Sequence, residues 1–506
     1  MTIPFKNIPA NIRVPLFFAE VDNSQANSAQ ANQRALIIGQ ITANGSATPN
    51  VPVISQGIGD AITQGGAGSM LALMTAAYRA ADPFGEVWYL PLADDPTAAA
   101  AAGAISVSSP PLANGTIYLY IAYCQGGSPY LPQRITIPVT TTQTAAQIAT
   151  AIAAAINAAP NLPVTAAVDG TLNSKVDITA INKGLAGNDI DIRLNYLGAR
   201  GGETSPQGLG LTITAMAGGA VNPSALSTAL ANLGSQAFDF IVCPYTDTTS
   251  LQAVATLLSD TTGRWSWDQQ IYGHVFTANR GTLGNQQTFG SGLNNQHTTV
   301  LGFNDSPTPN WLIAADLAAT AAVSLRADPA VPLQTLAMSI MAAPPLESRF
   351  ALSDQNTLLY TGISTFTVSD SGTVSLQNVI TTYQKNGFGQ PDNSYLEVET
   401  MFTLMAVLRD LAVMVTSKFA RMKLAANGTR FAAGSAIVTP NTIRAALIAE
   451  YQHLEEDLGW VQDSKAFAQG LIVQQNTQNP NRVDVLWPGT LINQLRTLAL
   501  LAQFRL

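Results

Sequence analysis

At 506 residues the chain is too long for one ordinary hydrophobic core, and two to four domains follow, each large enough to bury its own apolar surface. Hydrophobic residues make up 47% and charged residues only 11%, less than half the roughly 25% usual in soluble proteins, so the surface is either rich in Ala, Thr, Gln and Asn or covered by copies of the chain and by partners. The formal net charge of -8 and a pI near 4.9 exclude the basic stripe that nucleic-acid binding needs, and the absence of any run of 18 apolar residues excludes insertion into a membrane by a spanning helix.

In the first segment Ile12, Val14, Leu16 and Phe18 alternate in period two, while Pro4, Pro9 and Pro15 exclude helix and the centre of a sheet. Residues 1–20 therefore read as an extended arm. Lys6 is followed by neither a continuous apolar stretch nor a small-residue cleavage site, so synthesis in the cytosol and solubility there are expected unless other machinery exports the chain. From about residue 34 strand and helix patterns alternate. Residues 35–39 form a buried-strand run, 69–81 a helix with Met70, Leu71, Met74 and Tyr78 on one face, and 87–90 the next strand.

Residues 95–217 change character, becoming rich in Thr, Ala, Gly and Asn. Strands are predicted near 116–123 and 134–139, a helix over 145–158 with Thr144 as N-cap, and strands near 164–168, 176–181, 190–196 and 209–214. The earlier rhythm then resumes: helix 224–233, strand 238–243, helix 250–258, strands 271–277 and 298–303, and a long helix 311–326. The same alternation on both sides predicts one α/β domain, 21–94 with 218–343, interrupted by a mostly β inserted domain that protrudes.

Past Pro344 and Pro345 an α+β C-terminal domain, 344–488, is predicted. Residues 358–368 and 373–376 read as a β-hairpin, 396–423 and 442–458 as helices, and 483–487 as a strand. Trp487, Pro488 and Gly489 separate that strand from a C-terminal arm, 489–506. Leu498, Leu500, Ala502, Phe504 and Leu506 alternate in period two. Leu491, Leu495, Leu498 and Ala502 also keep helical spacing, so helix stays open beside the favoured strand. Two strand-like arms with apolar open edges must dock on the chain's own body or on a neighbour, which makes polymerisation the leading expectation.

Signals of chemistry are weak. His274, His297 and His453 are far apart and match no ligand spacing, and Cys124 and Cys243 sit in apolar strand-like contexts that suit buried free thiols. The cluster Gly65, Gly66, Gly68 lacks the spacing of a phosphate loop and reads as a flexible loop. Asp177, Asp189 and Asp191 raise calcium or paired-carboxylate hydrolysis, yet a half-exposed strand has the same alternation and is favoured. No GxSxG elbow is present. Glu455, Glu456 and Asp457 close a helix against its dipole and read as solvated, with a basic partner as the other option. Lys418, Arg421, Lys423 and Arg430 gather at the C-terminal end of the long helix, where cations favour the dipole or could meet an acidic surface.

The chain resembles the contractile-tail sheath proteins of the Mu-like myophage type. The resemblance rests on the opening Ile3, Pro4, Phe5, Lys6, Asn7, Ile8, Pro9 leading to Ile12, Arg13, Val14, Pro15, on the inserted helix followed by Asn182 through Ile190, and on the ending from Val483 to Arg496. It implies a structural, non-enzymatic subunit without cofactors. Copies would form a helical stack of rings, hexameric in this family, around a tail tube protein, with a baseplate and a tail terminator at the ends, inside a virion tail assembled in the bacterial cytoplasm. It also implies arms that complete sheets on neighbours, with Ile12, Val14, Leu16, Phe18, Leu498, Leu500, Phe504 and Leu506 as inter-subunit contacts. The insertion would face outward and the C-terminal domain inward, making Lys418, Arg421 and Lys423 candidate tube contacts. Contraction would release free energy stored in an extended lattice, driving the tube through a cell envelope with no nucleotide. Another self-assembling shell or surface-array subunit would also explain the arms and low charge, but would form sheets or closed shells and not recognise a tail tube. An α/β enzyme would instead place a polar pocket at the C-terminal ends of the strands.

Overall fold

The computed structural model describes residues 33–505. Ile12, Val14, Leu16, Phe18 and Leu506 lie outside that range. The central sheet begins with β1 (Ala35–Gln40), a run buried along its whole length, as a parallel strand covered on both faces must be. β2 (Val53–Ile54), α1 (Ile58–Gly65), α2 (Met70–Ala81) and β3 (Val87–Leu92) follow. The Ser69 hydroxyl accepts from the Ala72 amide at 3.1 Å and starts α2. The glycines before it form a tight turn and not the expected flexible loop: Gly68 has φ +71, and a Cβ there would lie 2.3 Å from the Leu162 carbonyl of the insertion.

The insertion contributes β4 (Ala102–Ser109), β5 (Gly115–Ile121), β6 (Ile135–Val139), α3 (Ala145–Ala158), β7 (Val164–Val168), β8 (Lys175–Ala180), β9 (Ile192–Leu194) and β10 (Gly210–Ala217). They pair antiparallel as a four-stranded sheet, β10-β4-β8-β7, and a three-stranded one, β6-β5-β9. α3 packs on β4, β6, β7 and β8 through buried Ile148, Ile152 and Ile156. Thr144 and Gln147 form a reciprocal capping box at its start. β4 was not anticipated, because its sequence of small residues gives little apolar contrast.

The chain returns through α4 (Leu226–Ala231), β11 (Phe240–Val242), α5 (Thr248–Leu257), β12 (His274–Arg280), α6 (Leu283–Ser291), β13 (Thr298–Phe303) and α7 (Asn310–Ala327). The six-stranded sheet has order β13-β12-β11-β1-β3-β2, parallel except for β2. Its strands thus come from both sides of the insertion. α7 is buried nearly all round, and its alanines allow close packing on α2, β11 and β12. Within it Asp316 accepts from the amides of Ser339, Ile340 and Met341 at 3.0, 2.8 and 3.1 Å, pinning the crossover that leads out of the domain.

The last part holds α8 (Leu352–Tyr360), β14 (Thr365–Val368), β15 (Val374–Asn378), α9 (Val398–Phe419), β16 (Lys423–Leu424), β17 (Ile437–Val438), α10 (Pro440–Glu456), β18 (Val461–Gln462), α11 (Ser464–Gly470), β19 (Ile472–Gln475), β20 (Val483–Leu486) and β21 (Thr490–Leu491). The expected hairpin over 358–376 is shorter than predicted. Leu358 and Tyr360 end a helix, with Leu358 buried beside Val300 and Ile363, and only β14 pairs with β15. α9 also stops at Phe419, so Lys423 sits on a two-residue strand and not on the helix. The fold is a multidomain α/β and α+β architecture with an inserted, mostly β module.

Candidate assembly surfaces and the insertion junction

Two regions concentrate the unusual features. The first is the junction where the insertion meets the C-terminal ends of the parallel strands. Arg280, the last residue of β12, reaches across to Asp189 in the insertion and donates to the carbonyls of Ser306 at 2.6 Å and Thr308 at 3.1 Å. Asp189 also accepts from the Asn310 amide at the start of α7. It ends a 3-10 turn and locks two domains together, so the half-exposed strand expected there is corrected. Asp191 pairs with Arg193 at 2.5 Å, and Arg193 extends to Asp305 after β13 at 3.1 Å. On the other side Gln40, the last residue of β1, donates to Asp94 and to the Lys183 carbonyl, both at 2.6 Å. Asn182 accepts from the Met70 amide at 2.8 Å and donates to Ile41 at 3.0 Å. The 182–191 segment of the insertion packs across the place where an open α/β sheet would receive a ligand and leaves a polar cavity lined by Asp189, Asp191, Arg280 and Asp305 beside it. Asp177, on β8, pairs with Lys175 at 2.7 Å, away from the other two carboxylates.

The histidines take structural places. His274 is buried on Thr299 at 2.8 Å, and burial holds its imidazole well below the ordinary value. His297 is buried against Asp260 at 2.7 Å and stacks on Trp265, and His453 is a surface partner of Asp457 at 2.7 Å. Among the described residues no His, Cys, Asp and Glu group could hold a metal ion, and no helix is long and apolar enough to cross a membrane. Cys124 and Cys243 are buried free thiols, as the sequence indicated, with burial pushing Cys243 up to about 12.

The second region is the C-terminal body with its arm. α9 and α10 enclose a small core of Val407, Met414, Leu447, Tyr451, Leu454 and Phe467. The Tyr451 ring stacks on Phe467 at 3.8 Å, while its hydroxyl donates to Gln462 at 2.6 Å and accepts from the Thr490 amide at 3.0 Å, stitching β18 to β21. Beside this core β19 and β20 form an antiparallel hairpin in register Ile472↔Leu486 to Gln475↔Val483. Neither outer edge pairs with another described strand. Ile472, Val485 and Leu486 are exposed on it. A two-stranded sheet with both edges open is marginal alone and is a template for added strands.

Downstream, Ile492 donates to the Trp460 carbonyl at 3.0 Å, Gln334 donates to the Leu495 carbonyl at 3.1 Å, and Arg496 is held by Glu397 and Glu399. Beyond that, residues 497–505 have no regular secondary structure and make no hydrogen bond to another described residue. Leu498, Leu500, Leu501 and Phe504 are 75–85% exposed. Neither the strand nor the helix considered for this segment forms in the single chain, since a strand requires a ladder partner and a lone helix this short is marginal in water. Lys418 pairs with Glu450 at 3.1 Å at the surface, and Arg421 and Lys423 are exposed nearby. Between Lys418 and the helix core, burial and the neighbouring Glu450 push the Asp410 carboxyl up to about 6.

Residues 218–382 match the phage tail sheath protein central domain, and residues 390–505 match the phage tail sheath C-terminal domain. The chain is 39% identical over 506 residues, the full length of both, to the Mu-like prophage FluMu tail sheath protein of Haemophilus influenzae. This chain belongs to the Mu-like contractile tail sheath family. It is a structural sheath subunit, not an enzyme, and a component of the phage tail. Among solved structures it is similar to sheath tail proteins of Desulfitobacterium hafniense, at 14% identity and TM-score 0.45 over 95% of this chain and 99% of that one, and of Listeria innocua, at 12% and 0.46 over 93% and 94%. Of the β19–β20 hairpin only the second strand was legible, as 483–487, and the Arg280–Asp189 and Arg496 pairings escaped notice because their members lie apart in sequence.

Proposed function

We propose that the C-terminal arm is an inter-subunit strand and that the open β19–β20 hairpin is the surface on which a neighbouring copy's arm adds. The observation that carries this reading is the apolar segment 497–505, unpaired among the described residues, on a chain that also holds a sheet whose two edges pair with no other described strand. Burying Leu498, Leu500, Leu501 and Phe504 would contribute roughly 6–12 kcal/mol at about 1.5–3 kcal/mol each. Ordering residues 497–505 costs roughly 9–18 kcal/mol at about 1–2 kcal/mol per residue, so apolar burial alone falls short. Main-chain hydrogen bonds of strand addition, at about 0.5–1.5 kcal/mol each, close the gap, which favours a sheet edge over a plain apolar groove.

In this reading Ile12, Val14, Leu16 and Phe18 of the N-terminal arm join the same lattice, copies stack as hexameric rings on a tube, and baseplate and terminator cap the stack. The insertion, 95–217, faces outward, and the body of 344–488 faces the tube, with Lys418, Arg421 and Lys423 as contacts. Assembly takes place in the bacterial cytoplasm. Contraction exchanges one lattice packing for a lower one while the arm strands stay joined, and drives the tube through the target envelope. Deleting residues 497–506 tests the reading: folded monomers that do not polymerise are expected, and normal tubes would refute it.

A further inference from the structure

The C-terminal segment changes abruptly from held to free at one residue, Arg496. Its Nη2 donates to Glu397 Oε2 and to Glu399 Oε2, each at 2.7 Å. Glu399 is fully buried in the first turn of α9, and its other oxygen accepts from the Leu333 amide at 2.7 Å. Glu397 is the residue that precedes that helix. The neighbouring Gln334 holds the Leu495 carbonyl at 3.1 Å, so the arm's root crosses both the 333–334 segment and the start of α9.

This placement is electrostatically specific. Two carboxylates at a helix N-terminus are partly supported by the helix dipole, but a buried Glu399 still requires a cation, and Arg496 supplies it. The arginine is itself mostly covered, and its Nε and Nη1 are buried without partners, so the side chain is held at that point by the two carboxylates. A flexible arm without such a root would sample many exit directions, and assembly would have to restrict them each time a copy joined.

We propose that Arg496, clamped between Glu397 and Glu399, is a positioning residue that fixes where and in which direction the C-terminal arm leaves the body, presenting residues 497–505 already aimed at a second copy. The proposal rests on the arm reading above. Its partner is another copy of this chain, and its action is pre-organisation, since Arg496 itself stays on its own body.

The test compares four full-length or truncated proteins for the critical concentration of polymer formation, read by sedimentation and negative-stain microscopy, with circular dichroism and thermal melting as controls. Arg496→Met combined with Glu397→Gln and Glu399→Gln removes the clamp without leaving a buried charge. It should melt like the unaltered protein and raise the critical concentration about tenfold. Arg496→Lys with both glutamates intact should return it to within about threefold, because an ammonium still bridges the carboxylates. The protein lacking 497–506 should not polymerise. If the triple variant polymerises at the unaltered concentration while the truncation fails, the clamp is overturned and the arm reading stands. If the truncation polymerises, the arm reading falls and the clamp falls with it. Loss of fold in the triple variant, or a folded Lys variant that fails to recover, also overturns the assignment.

Discussion

Removing Asp189 should weaken the junction of the insertion with the α/β sheet, which Arg193–Asp305, Gln40–Lys183 and the Asn182 hydrogen bonds still hold. Its carboxylate is the partner of Arg280 at the end of β12 and the acceptor for the Asn310 amide that opens α7. Deleting one member of a buried ion pair typically costs about 3–5 kcal/mol, and losing a helix cap adds about 1 kcal/mol. Arg280 keeps its carbonyl partners Ser306 and Thr308 and remains 23% exposed, which limits the penalty of leaving it uncompensated. The net loss for Asp189→Ala is therefore about 3 kcal/mol, and Asp189→Asn, which retains an acceptor, should lose about half of that. Urea unfolding of dilute protein, followed by far-ultraviolet dichroism and by tryptophan emission, to which Trp311 beside the junction contributes among six tryptophans, reads it out. In the variant the emission transition should precede the dichroism transition. Coincident transitions with a shift under about 1 kcal/mol would refute the role given to the pair.

Other consequences are smaller or conditional on pH. Burial raises the Asp316 carboxyl to about 6 in the folded chain, against an unfolded value near 3.8. Between those values the folded chain holds a proton that the unfolded chain has released, so the stability from this group is full below about pH 4 and is lost as pH rises through 6. Asp316→Asn should flatten that part of a stability profile, and it should also destabilise by roughly 1–3 kcal/mol because, with the amide oxygen kept on Ile340 and Met341, its NH2 would face the Ser339 donor. Tyr451→Phe removes the hydroxyl that joins β18 and β21 and should cost about 1–2 kcal/mol, with faster amide exchange at Thr490. Thr144→Ala, which breaks the capping box of α3, should cost about 1 kcal/mol in thermal unfolding.

What could be read from the sequence follows from how local each signal is. α2 and α3 were legible because each carries an apolar stripe at helical spacing, preceded in α3 by the capping Thr144. α6 was not, since its sequence LGNQQTFGS has few apolar residues and its place is set by Gln286 and Gly290 packing under neighbouring strands. The misread start of the 358–376 hairpin shows an apolar run, Leu358 to Tyr360, that helix and strand templates both accept. The arm's alternation was visible, but the strand it implies has no ladder partner among the described residues. Arg496 and Glu399 are 97 residues apart, and Arg280 and Asp189 are 91 apart, so only the folded backbone brings them together.

The central claim is that this sheath chain polymerises through its C-terminal arm. Negative-stain microscopy of the purified protein, intact and lacking residues 497–506, tests it most directly. Long hollow cylinders from the intact chain and discrete folded monomers from the truncated one are predicted. Cylinders from both would contradict the account.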